Sequence, residues 1–199
     1  GVLAANEAIQ AGATTLLNVA VSNRKIDVRF AQGVTMAATK HGVPCHQIDY
    51  GSQRISQLIE FLIPEIQSHS SSYPLCFCNP HAGVTYSLQK ELIKNGVRVP
   101  EDVSMVVIDK DIQRTPSLAA VPLTTVELDE WHRGFVAAEM LHHLINNDPL
   151  PQNNIIIPPK GVVQRASTGH EQIHDRVVAT ALSYVRRNYL RPIGVAEVV

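Results

Sequence analysis

Segment 75–111 restricts the fold of this chain more than any other part of the sequence. It reads LCFCNPHAGVTYSLQKELIKNGVRVPEDVSMVVIDKD, which is an apolar strand pattern, an amphipathic helix pattern and a second apolar strand pattern. The two predicted strands end in Asn79 and Asp109. Because parallel α/β sheets present such strand ends to a ligand crevice, this segment predicts both a fold class and a candidate site.

Strand and helix patterns alternate along the first half of the chain. Helical spacing occurs at 2–11, 25–41, 55–66 and roughly 82–95, and apolar strand runs occur at 14–21, 44–50 and 103–109. Pro64 falls late in the third helix pattern and predicts a kink or an early end, with a loop at 68–72. Apolar strands that alternate with helices predict a parallel sheet with helices on both faces.

Two polar, proline-bearing stretches interrupt this alternation, at 114–122 and 146–154. Between them lie a short strand pattern and a helix pattern, and strand character resumes afterwards; these four patterns cover 123–128, 130–146, 155–159 and 161–165. We therefore expect the chain to leave one lobe of the molecule, visit another lobe and return.

The composition changes again near the C-terminus. A linker-like stretch leads to a helix pattern that begins near Asp175 and carries Arg186, Arg187 and Arg191 near its end. Helix C-termini favour cations for dipole reasons alone, so these arginines do not identify DNA contacts. One helix and the start of another element cannot bury a core, so we expect the sequence to end inside a domain.

Composition excludes several classes of protein. The chain has 199 residues, 45% of them hydrophobic and 18% charged, with a formal net charge of -1. This balance fits a soluble globular protein of one or two domains without an overall basic footprint for nucleic acid. No apolar run approaches the roughly 20 residues that span a bilayer. Three cysteines cannot all pair within one chain, which favours a reducing cytoplasm, and the start at Gly1 suggests a processed or cut N-terminus.

Several pieces of the chain carry a family resemblance. They are the strand ending in Asn79 and the runs NGVRVPEDVSMVVID, PLTTVELD, GFVAAEMLHHLINN and IIIPPKGVVQRAST. Together they resemble the effector-binding core of the lactose-repressor and galactose-repressor family, which has the type I periplasmic-binding-protein fold. The run DRVVATALSYVRRNYLRPIGVAEVV resembles the first helix of an AraC-type DNA-binding domain. A core of this kind followed by an AraC-type domain is typical of regulators of xylose operons.

The resemblance implies a cytoplasmic, sugar-responsive transcription regulator with a pentose such as xylose as its effector. Operator DNA is an expected partner of the full-length protein, a homodimer is the expected assembly, and no cofactor, metal, catalytic residue or membrane contact is expected. The implied division is a C-terminal effector lobe, a segment that returns to the N-terminal lobe, the final strands, and a linker with the first helix of a truncated DNA-binding domain; these parts cover 1–115, 116–150, 151–168 and 169–199. If no upstream lobe exists, the helix at 130–146 needs another partner, such as a second subunit.

The resemblance also implies ligand-binding residues at the strand ends. Asn79 matches a sugar-binding asparagine, whose carboxamide bridges neighbouring hydroxyl groups; alternatively, Asn79 and Pro80 simply form a turn. Asp109 matches the strand-end aspartate of the family, which accepts hydrogen bonds from two hydroxyl groups; alternatively, it caps a helix or pairs with a nearby cation.

Arg29 and Tyr50 are two further candidates. The family has an arginine shortly before a glycine, and Arg29 lies about one residue away from that position when Gly33 is aligned with the glycine. Alternatively, Arg29 lies on the solvent face of its helix. Tyr50 ends a predicted strand, where it either stacks on a sugar ring or packs locally. Pro80 stands where an acidic residue is common and Leu128 where a glutamine is common, which a changed or lost ligand preference would explain.

Other chemistries have weaker support in the sequence. Cys76, Cys78 and His81 have the residue types of a zinc site, but buried strand thiols explain the pattern better. The three histidines of the helix at 130–146 fit a partly exposed surface. No nucleophile elbow, dinucleotide fingerprint or phosphate loop is present, so an α/β enzyme with Asp109 as general base is the weaker class. A transport-type sugar-binding protein is the other alternative, and the helix after Thr168 argues against it.

Overall fold

The computed structural model describes residues 1–20, 24–49, 51, 55–69, 75–109, 120–150, 152 and 154–169, and the single residues 181, 184, 194 and 195. Helices and strands alternate along most of this length. Their bounds are α1 Val2–Gln10, β1 Thr15–Ala20, α2 Lys25–His41, β2 Cys45–Asp49, α3 Ile55–His69, β3 Leu75–Asn79, α4 Ala82–Lys94, β4 Val103–Asp109, β5 Thr124–Glu127, α5 Glu130–Ile145 and β6 Gly161–Val163, and a 3-10 turn follows at Ala166–Thr168.

The strands form one six-stranded sheet in the order β2-β1-β3-β4-β5-β6. Every neighbouring pair from β2 to β5 is parallel, and β6 is antiparallel to β5. The predicted parallel sheet is therefore confirmed, with one antiparallel strand added at its edge.

Helices cover both faces of this sheet, as the sequence predicts. Successive residues of a strand point to opposite faces. Thus Leu16 and Cys76 pack with α1 and α2, whereas Leu17 and Phe77 pack with α3 and α4. Because the strands bury both faces, they read as continuous apolar runs and not as alternating ones.

Two helix ends show how the local sequence acts. Helix α2 stops at Gly42, which adopts a left-handed conformation with φ 68° that residues with a Cβ rarely adopt. Helix α3 does not stop at Pro64 but continues to His69, because its buried face extends on both sides of the proline to Leu62 and Ile66. The prediction of a loop from residue 68 is wrong for residues 68 and 69, and residues 70–72 lie outside the described part of the chain.

The second half of the chain departs from the predicted strands in two places. Residues 155–159 form no strand, since Pro158 and Pro159 have no N–H to donate, and only Gly161–Val163 pairs with the sheet. Strand β5 pairs with β4, so the chain is still part of this sheet at Glu127.

The C-terminal predictions fall almost wholly outside the described residues. Those predictions are the linker, the helix that begins near Asp175 and the element at 191–199. No helix in the described part of the chain combines the length and the apolar character that crossing a membrane requires.

A buried polar cluster joins the end of the described chain to the sheet. Ser167 Oγ accepts from the Thr124 backbone N–H at 2.8 Å and donates to the Met105 carbonyl at 2.6 Å. Thr124 Oγ1 accepts from the Arg165 backbone N–H at 2.8 Å and lies 2.6 Å from Thr168 Oγ1. Both Ser167 and Thr124 are fully buried, so water cannot replace these bonds.

We expect Ser167→Ala to lower the free energy of unfolding by about 1–3 kcal/mol, because a buried amide and a buried carbonyl lose their partner. Urea denaturation of the chain measures this loss. Ser87→Ala is the matched control, since the Ser87 hydroxyl bonds the Gly83 carbonyl on an exposed face of α4, and we expect a change within about 0.5 kcal/mol. Equal effects of the two variants would contradict a role for the buried cluster.

Candidate functional site

The topology places a crevice at the carboxyl ends of β1 and β3. These strands are neighbours in the sheet, but the chain continues from β1 into α2 and from β3 into α4, which cover opposite faces. In open α/β sheets ligands bind where the strand order reverses in this way. The first turns of α2 and α4 therefore form the walls of the candidate site.

A hydrogen bond joins these two walls. Asp27, in the first turn of α2, is fully buried, and its Oδ1 lies 2.8 Å from Nε2 of His81. His81 is the residue that precedes α4, and its side chain is 26% exposed. The helix dipole of α2 also favours a carboxylate at this position.

Asn79 is held by the same turn. Its Oδ1 accepts from the backbone N–H of His81 at 2.6 Å. Its side chain is fully buried, and within the described residues its Nδ2 has no hydrogen-bond partner. The turn expected at Asn79 and Pro80 is thus present, and it leaves the amide donors of Asn79 unpaired. Buried polar atoms without partners are rare in folded proteins and call for an explanation.

A pocket of about 280 Å³ lies between α2 and the ends of β1 and β2. Its polar lining comes from Asp27, Gln32, Gln47 and Asp49. Asp27 belongs both to the pocket and to the bond with His81. The pocket is therefore linked to the turn at Asn79 through Asp27, while Asn79 and His81 do not line it.

Of the other sequence-predicted candidates, Arg29 alone has a described side chain. Arg29 is exposed and does not line the pocket, because it lies two residues, about 200° of helical rotation, from the buried Asp27. Asp109 ends β4, where its backbone is opposite Glu127 of β5, and its side chain lies outside the described part of the structure. Tyr50 also lies outside it.

Charge at the far end of the edge is balanced locally. Lys160 Nζ lies 3.9 Å from Glu127 Oε1 and 3.6 Å from Asp129 Oδ1. Both carboxylates are partly exposed, so the pairs contribute little to stability. Asp27 differs from them, because it is the one fully buried carboxylate among the described residues.

All three cysteines of the chain are free thiols. Cys76 and Cys78 are fully buried on the face that α1 and α2 cover. The hydrogen bond with the Cys76 side chain, followed by burial, raises the pKa of Cys78 well above its ordinary value, and burial raises the pKa of Cys45. Since metal binding needs the thiolate, a raised pKa makes Cys78 and Cys45 less suited to bind a metal. No group of three metal-ligating side chains occurs in the described ranges.

The pairing of Asp27 with His81 was missed by sequence reasoning. The available signal is the position of Asp27 on the inward face of α2, which it shares with Phe30 and Val34. A carboxylate on a face that packs into the core needs a partner. The sequence analysis considered His81 only as a possible zinc ligand, although this residue directly follows Asn79 and Pro80 at the end of β3.

Known protein sequences match most of the described chain. The family described as periplasmic binding protein-like domains matches residues 5–168. The chain is 31% identical over 103 residues to the xylose operon regulatory protein of Escherichia coli K12, and 32% identical over 103 residues to the Haemophilus influenzae protein of that name. Each alignment covers 52% of this chain and 26% of the relative, so the chain spans about a quarter of the length of these curated relatives.

Solved structures are similar over a larger part of the chain. A xylose-binding transcription activator superposes with a TM-score of 0.74 at 19% identity, covering 98% of this chain and 52% of that one. A dimeric Lac repressor superposes with a TM-score of 0.65 at 16% identity, covering 83% of this chain and 59% of that one. At these identities the matches show a shared fold. With the family match over 5–168, they establish that the chain belongs to the periplasmic-binding-protein-like domains.

Proposed function

We propose that this chain is the effector-binding part of a sugar-responsive transcription regulator, with a pentose such as xylose as its effector. The observation that carries the proposal is the polar group formed by the buried Asp27 and Asn79 with the partly exposed His81, at the point where the strand order reverses. The 31% identity to a xylose operon regulatory protein supports the choice of a sugar and of xylose.

The polar groups at this edge suit an uncharged polyhydroxylated ligand. Asn79 offers amide donors, and His81 and the pocket residues offer both donors and acceptors. Asp109 ends the next strand along the same edge, and we expect its carboxylate to accept from sugar hydroxyls. Arg29 and Tyr50 are proposed as further contributors to sugar binding.

Helix α5 supports a second lobe. None of its residues is buried, and its apolar side chains are largely exposed; these are Trp131, Phe135, Leu141, Leu144 and Ile145. The rings of Trp131 and Phe135 stack with centroids 5.7 Å apart, which forms a flat apolar surface. Since the xylose-binding activator is about twice as long as the region it shares with this chain, an N-terminal lobe encoded upstream is the proposed partner of α5.

The response to sugar would be closure of the two lobes. A sugar held between both walls binds the closed state more tightly than the open state, so it shifts the population toward closure. The segment after Thr168 would pass this shift to an AraC-type DNA-binding domain and so to operator DNA. A homodimer in the cytoplasm is part of the proposal, supported by the dimeric Lac repressor of the same fold.

Two other functions have less support. A transport-type sugar-binding protein would use the same edge, but the curated relatives that match this chain are named as operon regulators. An α/β enzyme with Asp109 as general base would need an acid partner, and the relatives again point to regulation. Turnover of a sugar by the purified protein would overturn this ranking.

We expect the full-length protein to bind an aldopentose, and xylose more tightly than arabinose or ribose. Isothermal titration calorimetry measures these affinities, and thermal shift gives an independent check, because a ligand that binds only the folded state raises Tm. Binding of no sugar and no sugar phosphate would contradict the proposed function.

We expect Asp109→Asn to weaken the affinity of the full-length protein for its sugar by about tenfold or more, since hydrogen bonds to charged groups contribute about 1.5–3 kcal/mol. Glu60→Gln is the matched control, because Glu60 is an exposed carboxylate on α3. If the two variants bind sugar equally well, Asp109 does not contact the effector.

We expect Trp131→Ala to destabilise the full-length protein and to leave the 199-residue chain unchanged. Trp131 is 77% exposed here, so its loss matters only if another lobe covers it, where large-to-small changes cost about 3–5 kcal/mol. Met36→Ala, at a position 68% exposed on α2, is the control expected to be neutral in both chains. Urea denaturation of the four variant proteins tests this, and a neutral Trp131→Ala in the full-length protein would exclude a covered α5.

A further inference from the structure

His81 has one ring nitrogen engaged and one free. Its Nε2 lies 2.8 Å from Oδ1 of the buried Asp27. A carboxylate accepts hydrogen bonds and cannot donate them, so Nε2 carries the proton. In a neutral imidazole the other nitrogen, Nδ1, is then an acceptor. Within the described residues Nδ1 has no hydrogen-bond partner, and the side chain is 26% exposed at the crevice.

An unpaired donor lies two residues away. Asn79 Oδ1 is held by the His81 backbone N–H at 2.6 Å, and this bond fixes which end of the carboxamide is oxygen. Asn79 Nδ2 therefore carries N–H groups that are buried and have no partner among the described residues. The turn thus offers one acceptor, His81 Nδ1, and one donor, Asn79 Nδ2, at the carboxyl end of β3.

We infer that His81 is a specificity-determining residue of the effector site, whose Nδ1 accepts a hydrogen bond from one hydroxyl of a vicinal diol. Asn79 Nδ2 donates to the neighbouring hydroxyl oxygen. Asp27 is a positioning residue, because its carboxylate holds His81 in the tautomer that leaves Nδ1 as an acceptor. This inference rests on the proposed function and names the group of the sugar that the site reads.

A purely structural role makes different demands on the same residues. If the bond between Asp27 and His81 only clips α2 to α4, any side chain that donates to Asp27 preserves binding. If Nδ1 contacts the ligand, preserving that bond is not sufficient. The chain offers two substitutions that separate these roles, because glutamine places its amide near the Nε2 position and asparagine places its amide near the Nδ1 position.

The test uses the full-length protein, its preferred aldopentose and calorimetry. His81→Gln keeps a donor for Asp27 and removes the acceptor at Nδ1, so we expect an unchanged Tm and about tenfold weaker binding. His81→Asn keeps an acceptor near Nδ1 and leaves Asp27 without this donor, so we expect a lower Tm and a smaller loss of affinity. Thermal unfolding without ligand measures the two Tm values.

A series of monodeoxy analogues of that sugar gives the second readout. We expect one analogue to bind the wild-type protein about tenfold more weakly than the parent sugar, and to bind His81→Gln as well as the parent does. A structural clip would leave the preference for that hydroxyl unchanged.

The outcomes separate the two proposals. If the wild-type protein binds no sugar, the proposed function fails and His81 loses its role with it. If the wild type binds sugar while His81→Gln keeps the wild-type affinity and the wild-type preference among analogues, only the role of His81 is overturned. The role of His81 is also overturned if His81→Gln binds every analogue and the parent sugar more weakly by the same factor and has a lower Tm than the wild type.

Discussion

The handedness of the connections between parallel strands determines where this molecule can recognise a ligand. Crossovers between parallel strands are right-handed in nearly all proteins. Since β2 and β3 lie on opposite sides of β1, α2 and α4 must cover opposite faces, and their first turns separate above β1 and β3. Asp27 and His81 are 54 positions apart in the sequence, and this constraint brings them to 2.8 Å.

Burial of polar side chains at that edge costs free energy, which apolar side chains in the same places would not cost. A carboxylate as buried as Asp27 needs a hydrogen-bonded partner, which His81 supplies. Asn18, two residues before the end of β1, is also fully buried, and neither its Oδ1 nor its Nδ2 has a partner among the described residues. With Asn79, the unsatisfied amides lie at or near strand ends and not in the middle of the core. Such a distribution fits a surface that a polar ligand completes.

Periodicity alone was sufficient for most of the fold and for part of the site. The apolar runs and the glycine at residue 42 locate β1, α2 and their ends, and the strand-end rule locates Asn79. Helix α3 continues further past Pro64 than expected, because its buried face stabilises the helix on both sides of the proline. The family register pointed to Arg29, whereas the helical phase turns Asp27 inward. The bond to His81 depends on the sheet order, which no local pattern contains.

The chain leaves the sheet after Glu127 and pairs with it again at Gly161. Glu127 and Gly161 are opposite each other in the antiparallel ladder of β5 and β6, and the Lys160 N–H donates to the Glu127 carbonyl at 2.9 Å. If the proposed second lobe packs on α5, this short ladder holds one of the connections between the two lobes. The buried cluster around Thr124 and Ser167 begins three residues from Glu127 and ends where the segment toward the proposed DNA-binding domain starts. β5 and β6 are the shortest strands of the described sheet, with four and three residues, so few hydrogen bonds hold the chain at this place.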